Sequence, residues 1–169
     1  ILLIGILLFL PAGTLDYPCG WLLMAVLFIP MFFAGIVMML KNPALLRKRL
    51  SAKERLSTQQ TVLKLSGLMF LFGFVIAGLD FRFAWFPIPQ WVSYTAATVF
   101  LIGYILFAEV MRENTYLSRT VEVQEGQQVI DTGLYGIVRH PMYSATLLMF
   151  LSMPLILGSL FSLIPFLFY

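Results

Sequence analysis

Long stretches of the chain carry no charged side chain, and this feature constrains its fold more than any other. The segments 20–40 and 142–169 contain no Asp, Glu, Lys or Arg. About 20 mainly apolar residues suffice to cross the hydrocarbon core of a bilayer. Charged residues make up 11% of the chain, against about a quarter in soluble domains. The sequence therefore predicts a single integral membrane domain spanning residues 1–169.

The apolar segments predict an all-α, polytopic transmembrane helical bundle of about five to six passes. Residues 1–10 are too few to span alone and are expected to be the tail of a truncated first helix, closed by Pro11 and Gly13. The other predicted passes are 20–40, 61–79, 91–110 and 142–169. The last segment is too long for one perpendicular crossing, and Pro154, Gly158 and Pro165 interrupt it. It predicts a fifth helix, a tight turn and the start of a returning sixth. Because the chain begins and ends inside apolar runs, we expect both termini to be truncated.

Basic residues predict the orientation in the membrane. Seven of the 11 lysines and arginines lie from the end of the second pass to the first residues of the third: Lys41, Arg47, Lys48, Arg49, Lys53, Arg55 and Lys64. Arg112, Arg119 and Arg139 lie between the fourth and fifth passes, and Arg82 lies between the third and fourth. By the positive-inside rule, the two loops richer in lysine and arginine face the cytoplasm.

The second of these loops predicts a short cytoplasmic β-ribbon or loop before the fifth helix. Its sequence, "TVEVQEGQQVIDTG", alternates apolar and polar residues on each side of Glu125 and Gly126. Such alternation around a glycine is typical of a two-stranded ribbon.

The single histidine of the chain follows this loop, in the segment "GLYGIVRHPMYSA". Because a residue before proline avoids the helical region, His140 should be extended, and Pro141 should begin the fifth helix. The free N–H groups of a helix start attract an anion, to which Arg139 adds charge. Tyr135 and Tyr143 could frame a pocket for an organic cation. Taken separately, these residues also fit an ordinary interface of snorkelling charge and aromatic belt.

Taken together, "GLYGIVRHPMYSA" and the preceding "GQQVIDT" resemble the signature of the isoprenylcysteine carboxyl methyltransferase family. That signature reads G-x-Y, three residues, then R-H-P-x-Y, and "NPALLRKRLSAKER" is also similar to bacterial members. Related membrane phospholipid methyltransferases carry a looser version. The family's further arginine and paired glutamates, which follow its last membrane helix, are absent from this sequence.

The resemblance implies a multi-pass enzyme that binds S-adenosylmethionine on the cytoplasmic side, within residues 120–145, and needs no metal. It methylates a hydrophobic acceptor from the bilayer, such as a lipid-like or prenylated carboxylate. By position, the implied cofactor-binding residues are Gln127, Gln128, Val129, Ile130, Tyr135, His140, Pro141, Met142 and Tyr143. Since methyl transfer depends mainly on alignment, we assign no catalytic side chain, and Arg139 could supply supporting charge.

Three other functions remain open from the sequence, and none involves nucleic acid. The first is N-methylation of lipid amines such as phospholipid head groups. The second is an NADPH-dependent membrane reductase of the sterol type, although the motif supplies only one arginine for its phosphates. The third is a scaffold without catalysis. Neither the methyl acceptor nor the oligomeric state follows from the residues.

Overall fold

The computed structural model describes residues 1–41, 43, 57–113 and 132–167, and these residues form seven helices. The helices are α1 (Leu2–Ala12), α2 (Pro18–Lys41), α3 (Ser57–Phe83), α4 (Gln90–Glu113), α5 (Leu134–Ile137), α6 (Pro141–Ile156) and α7 (Leu163–Phe166). Within these ranges there is no β-strand. The predicted β-ribbon falls almost wholly on residues 114–131, which lie outside the described residues.

The predicted helical membrane bundle is confirmed. In the described part of the chain, three helices are long and apolar enough to cross a bilayer, namely α2, α3 from Gln60 onwards, and α4. The helices α1 and α6 are shorter and apolar. The predicted end of 142–169 is also confirmed, because α6 is followed by a turn and then by the short helix α7.

Three prolines lie inside helices that they were expected to interrupt, namely Pro11, Pro154 and Pro165. Pro11 and Gly13 were predicted to close the first helix, but α1 continues through Pro11 to Ala12, and Gly13, with φ 71°, caps it. Similarly, α6 continues through Pro154 to Ile156, and the chain reverses at Gly158 with φ 76°. In an apolar environment a helix tolerates one lost N–H donor, whereas unwinding exposes several backbone groups.

Helix packing defines two ends of the bundle. The helices α4 and α6 are antiparallel and pack against each other. At their contact, Gly103 of α4 lies against the backbone of Ala145 of α6. We call the end where α4 finishes and α6 begins the motif end. The opposite end, where α3 finishes and α4 begins, is the distal end. Small residues at helix contacts allow close approach of backbones in membranes, and this contact fixes the start of α6 relative to the end of α4.

Gly78 permits a second close approach, between α3 and α1. A Cβ atom at this position would lie 2.6 Å from the Leu8 carbonyl oxygen and 3.1 Å from the Ala12 nitrogen. We predict that Gly78→Ala lowers the free energy of unfolding by about 2 kcal/mol, because the α1 backbone must move. Equilibrium unfolding in detergent measures this change. Gly67→Ala, on the same helix but in open space, should not destabilise, and equal losses in both variants would contradict the packing argument.

At the distal end, the turn between α6 and α7 is held by hydrogen bonds from other elements. We call residues 157–162 the distal turn. The Tyr17 hydroxyl donates to the Leu157 carbonyl at 2.6 Å, and the Ser162 hydroxyl donates to the Gly73 carbonyl at 2.8 Å. Burial raises the pKa of the Tyr17 phenol, so the phenol keeps its proton. These bonds tie the distal turn to α3 and to the α1–α2 loop.

Candidate functional site

The start of α6 has the backbone that the sequence predicts. His140 precedes the helix with φ −131° and ψ 65°, and Pro141 is its first residue and is buried. The His140 carbonyl accepts hydrogen bonds from the Ser144 N–H at 3.2 Å and the Ser144 hydroxyl at 3.3 Å. The imidazole itself makes no capping hydrogen bond. It therefore leaves the first N–H groups of α6, on Met142 and Tyr143, to another partner.

Two of the predicted site residues form one aromatic surface at this helix start. The rings of His140 and Tyr143 lie with centroids 5.6 Å apart and planes at 42°. Both side chains are exposed, and Met142 between them is half-buried. Arg139 is exposed immediately before them. The arrangement combines a helix start, which favours an anion, with aromatic faces, which favour a cation.

A tight turn positions Tyr135 next to this surface in the chain. The Tyr135 N–H donates to the Thr132 carbonyl at 3.0 Å. Gly133, the first central residue of this turn, has φ 53° and ψ −124°, which are the angles of a type II′ turn and require glycine there. Tyr135 then lies half-buried in α5.

Glu113, which the sequence analysis did not single out, joins this turn to the end of α4. Its carboxylate accepts a hydrogen bond from the Leu134 N–H at 3.1 Å. A Cβ atom on Gly133 would collide with the same carboxylate. Nearby, Glu109 pairs with Arg112, whose Nε lies 2.8 Å from a carboxylate oxygen. The sequence holds no local signal that separates Glu113 from Glu109, because the contact crosses a long loop.

The other predicted cofactor residues, Gln127, Gln128, Val129 and Ile130, lie outside the described residues. The structure therefore brings together His140 and Tyr143, places Pro141 and Met142 in the same helical turn, and puts Tyr135 in the preceding short helix.

A groove between α3 and α6 begins at Tyr143. It has a volume of about 620 Å³, and we call it the α3–α6 groove. Its lining residues are Val62, Leu65, Ser66, Met69, Tyr143, Thr146 and Leu147. Further along α6, the Phe70 and Phe150 rings meet edge to face at 5.0 Å, which closes the space between the two helices.

The α3–α6 groove was not predicted from the sequence. Since α6 is apolar on all sides, its pattern does not reveal which face packs on a neighbour. In the structure, Ala145 and Met149 are buried, and Gly103 of α4 lies against both. The face with Tyr143 and Leu147 is left exposed beside α3.

Comparison with known families gives one match in this region. Residues 91–169 match the family model of phospholipid methyltransferases. The matched part runs from α4 through the motif to the end of the sequence. Neither the curated proteins nor the solved structures include a match to this chain. The match supports a membrane methyltransferase related to the family that the motif resembles, and it does not single out the isoprenylcysteine branch.

Proposed function

We propose that this chain is a membrane methyltransferase that uses S-adenosylmethionine and methylates an acceptor carried on a hydrocarbon chain. One observation carries the proposal: Tyr143 belongs both to the motif at the start of α6 and to the wall of the α3–α6 groove. A single side chain thus adjoins the surface suited to a charged cofactor and the groove suited to a lipid chain.

The residues at the start of α6 fit the charges of S-adenosylmethionine. The cofactor carries a carboxylate, which the uncapped N–H groups and the helix dipole would attract. Its sulfonium is a cation, for which the exposed faces of His140 and Tyr143 are suitable partners. When bound, it supplies an electrophilic methyl group. The proposed pocket also includes Tyr135, Pro141 and Met142, and the segment 127–130 by resemblance.

The dimensions of the α3–α6 groove suit an alkyl or prenyl chain. From Tyr143 to Phe150, α6 advances about 10 Å at the rise of an α-helix. The groove walls carry exposed Val62, Leu65 and Leu147, so the groove is open to surrounding lipid. An acceptor that enters from the bilayer would place its head group beside Tyr143.

For methyl transfer, this chain has mainly to align the acceptor with the methyl group of the cofactor. Methyl transfer is an in-line displacement, and holding the two reactants in line supplies most of the rate gain. A carboxylate acceptor is already ionised at neutral pH, so it needs no general base. We therefore assign His140 to cofactor binding rather than to proton transfer. Following the distribution of lysine and arginine, we place this site on the cytoplasmic side.

Two acceptors are compatible with the proposal, each supported by a different observation. The motif "GLYGIVRHPMY" resembles the isoprenylcysteine family and favours a lipid-like or prenylated carboxylate. The family match over residues 91–169 favours a phospholipid amine. Methyl transfer in proteoliposomes to N-acetyl-S-farnesylcysteine or to phosphatidylethanolamine separates them. An amine acceptor should react faster as pH rises because it must first lose a proton, whereas a carboxylate should not.

A bulky side chain in the α3–α6 groove should prevent binding of the lipid acceptor and leave cofactor binding unchanged. We predict that Thr146→Trp lowers kcat/KM for the lipid acceptor at least about 10-fold, because the indole occupies the space of the hydrocarbon chain. Binding of S-adenosylhomocysteine, measured by calorimetry, should change by less than about twofold.

Thr98→Trp is the matched control for this variant. Thr146 and Thr98 both lie in membrane helices and donate to the carbonyl four residues earlier, at 3.0 Å. Thr98 is exposed on α4, outside the groove, so its variant should keep full activity. Equal activity of the two variants would refute the groove as the acceptor site.

A further inference from the structure

A second cavity lies at the distal end, away from the motif. It has a volume of about 350 Å³, within the range of small-molecule sites. Its polar lining includes the side chains of Asp80, Gln90 and Ser93, and the rings of Phe81 and Phe86 also line it. We call it the distal cavity. Neither the motif nor the proposed methyl transfer uses any of these groups.

The carboxylate of Asp80 is the charged group of the distal cavity. Its side chain is buried, with 3% of the residue exposed. One oxygen accepts from the Ser159 hydroxyl at 2.5 Å and the other from the Phe86 N–H at 3.3 Å. Both donors are neutral, and among the described residues no cationic side chain forms an ion pair with Asp80. A buried carboxylate is costly unless a positive charge compensates it.

The nearest basic residue along the chain is directed elsewhere. Arg82 lies over the Phe83 ring at 5.6 Å and beside Gly13, and it does not line the distal cavity. The compensating charge for Asp80 is therefore not supplied by this arginine.

Two other polar side chains of the cavity, Gln90 and Ser93, donate to protein partners and keep acceptor capacity. The Gln90 amide nitrogen donates to the Tyr94 hydroxyl at 2.9 Å, which leaves the Gln90 carbonyl oxygen as an acceptor. The Ser93 hydroxyl donates to the Leu155 carbonyl at 3.2 Å, and its oxygen accepts from the Cys19 thiol at 3.7 Å, which leaves one lone pair as an acceptor. With Asp80, the cavity thus presents a set of acceptors, one of them negatively charged.

We propose that the distal cavity binds a primary ammonium group. An ammonium brings a positive charge and three N–H donors, which match the Asp80 carboxylate and the acceptor oxygens of Gln90 and Ser93. The rings of Phe81, which is stacked on Tyr17, and of Phe86 line the cavity, and aromatic rings attract organic cations. Phe86 and Gln90 are exposed, so the cavity is entered from the surface of the distal end. The group could come from a free amine or from an amine-bearing lipid head group.

Binding of butylammonium to the full-length protein in maltoside detergent tests this site. Calorimetry should show binding that falls at least 10-fold in Asp80→Asn, which retains the size of the side chain. Ser159→Ala, which removes a hydrogen bond and retains the charge, should bind within threefold of wild type. Butyltrimethylammonium, which has the charge and no N–H donor, should bind at least 10-fold more weakly. Unchanged binding in Asp80→Asn, or equal binding of the two cations, would overturn the proposal.

Two further arms keep the test decisive. Gln90→Leu alters an exposed side chain, so it remains informative if Asp80→Asn does not fold, and it should weaken butylammonium binding about fivefold. If the ammonium comes from a lipid, the unfolding temperature in nanodiscs should be higher with phosphatidylethanolamine than with phosphatidylcholine. If the ligand is a free amine, butylammonium alone should raise the unfolding temperature. No effect from either source would overturn the site, and neither result depends on methyltransferase activity.

Discussion

Gly133→Ala should weaken binding of S-adenosylhomocysteine by about 5- to 150-fold. The φ of 53° and ψ of −124° at this residue are strained for any side chain, and a Cβ atom would also displace the Glu113 carboxylate, which accepts a hydrogen bond from the Leu134 N–H of the same turn. Backbone strain of this kind costs about 1–3 kcal/mol, and 1.4 kcal/mol corresponds to a factor of 10. To relieve it, the turn must shift Tyr135 and the chain leading to His140. Calorimetric titration measures the loss.

Gly35→Ala serves as the control, because a Cβ atom there meets nothing within 4 Å. Its binding should equal that of the wild type. Since the Gly133 turn lies at the edge of the bundle, Gly133→Ala should keep the unfolding temperature close to that of the wild type. Full affinity in Gly133→Ala would show that the turn has no part in the cofactor site.

Asp80→Ala should lower the free energy of unfolding by roughly 3 kcal/mol. The substitution leaves the buried Ser159 hydroxyl without its acceptor, which costs about 1–3 kcal/mol, and it also removes the acceptor of the N–H of the exposed residue Phe86. Through Ser159, whose oxygen also accepts from the Ser162 N–H at 3.1 Å, the carboxylate fixes the distal turn. Equilibrium unfolding in detergent measures this change.

Comparison with two serine variants makes the Asp80 prediction specific. Ser93→Ala removes the hydrogen bond to the Leu155 carbonyl and the weak one from the Cys19 thiol, so it should cost only about 1 kcal/mol. Ser159→Ala should fall between the two, because its hydroxyl joins Asp80 to Ser162. If Asp80→Ala cost no more than Ser93→Ala, the carboxylate would not be the group that holds the distal turn.

The sequence predicted the helices well because their physical cause is local. A stretch of about 20 apolar residues must form a helix in a bilayer, since no water satisfies its backbone groups. The start of α6 was predicted for a similar reason: proline restricts its own φ and the residue before it. Proline was less reliable as a stop signal, as α1 and α6 continue past Pro11 and Pro154.

Contacts between distant residues could not be read from the sequence. Asp80 meets Ser159 across 79 positions, and Glu113 meets Leu134 across 21. No period or motif marks these partners, because each contact depends on how whole helices pack. The α3–α6 groove has the same origin: it exists because α6 turns Ala145 towards α4 and leaves Tyr143 beside α3.

Calorimetric binding of S-adenosylhomocysteine and, separately, NADPH to the full-length protein in detergent tests the proposed methyltransferase most directly. We expect micromolar binding of S-adenosylhomocysteine that weakens at least 10-fold in His140→Ala and in Tyr143→Ala. Tyr94→Ala, an exposed tyrosine at the distal end, should leave it unchanged. Binding of NADPH alone would contradict the proposed function, and so would an affinity for S-adenosylhomocysteine that is unchanged in His140→Ala and Tyr143→Ala.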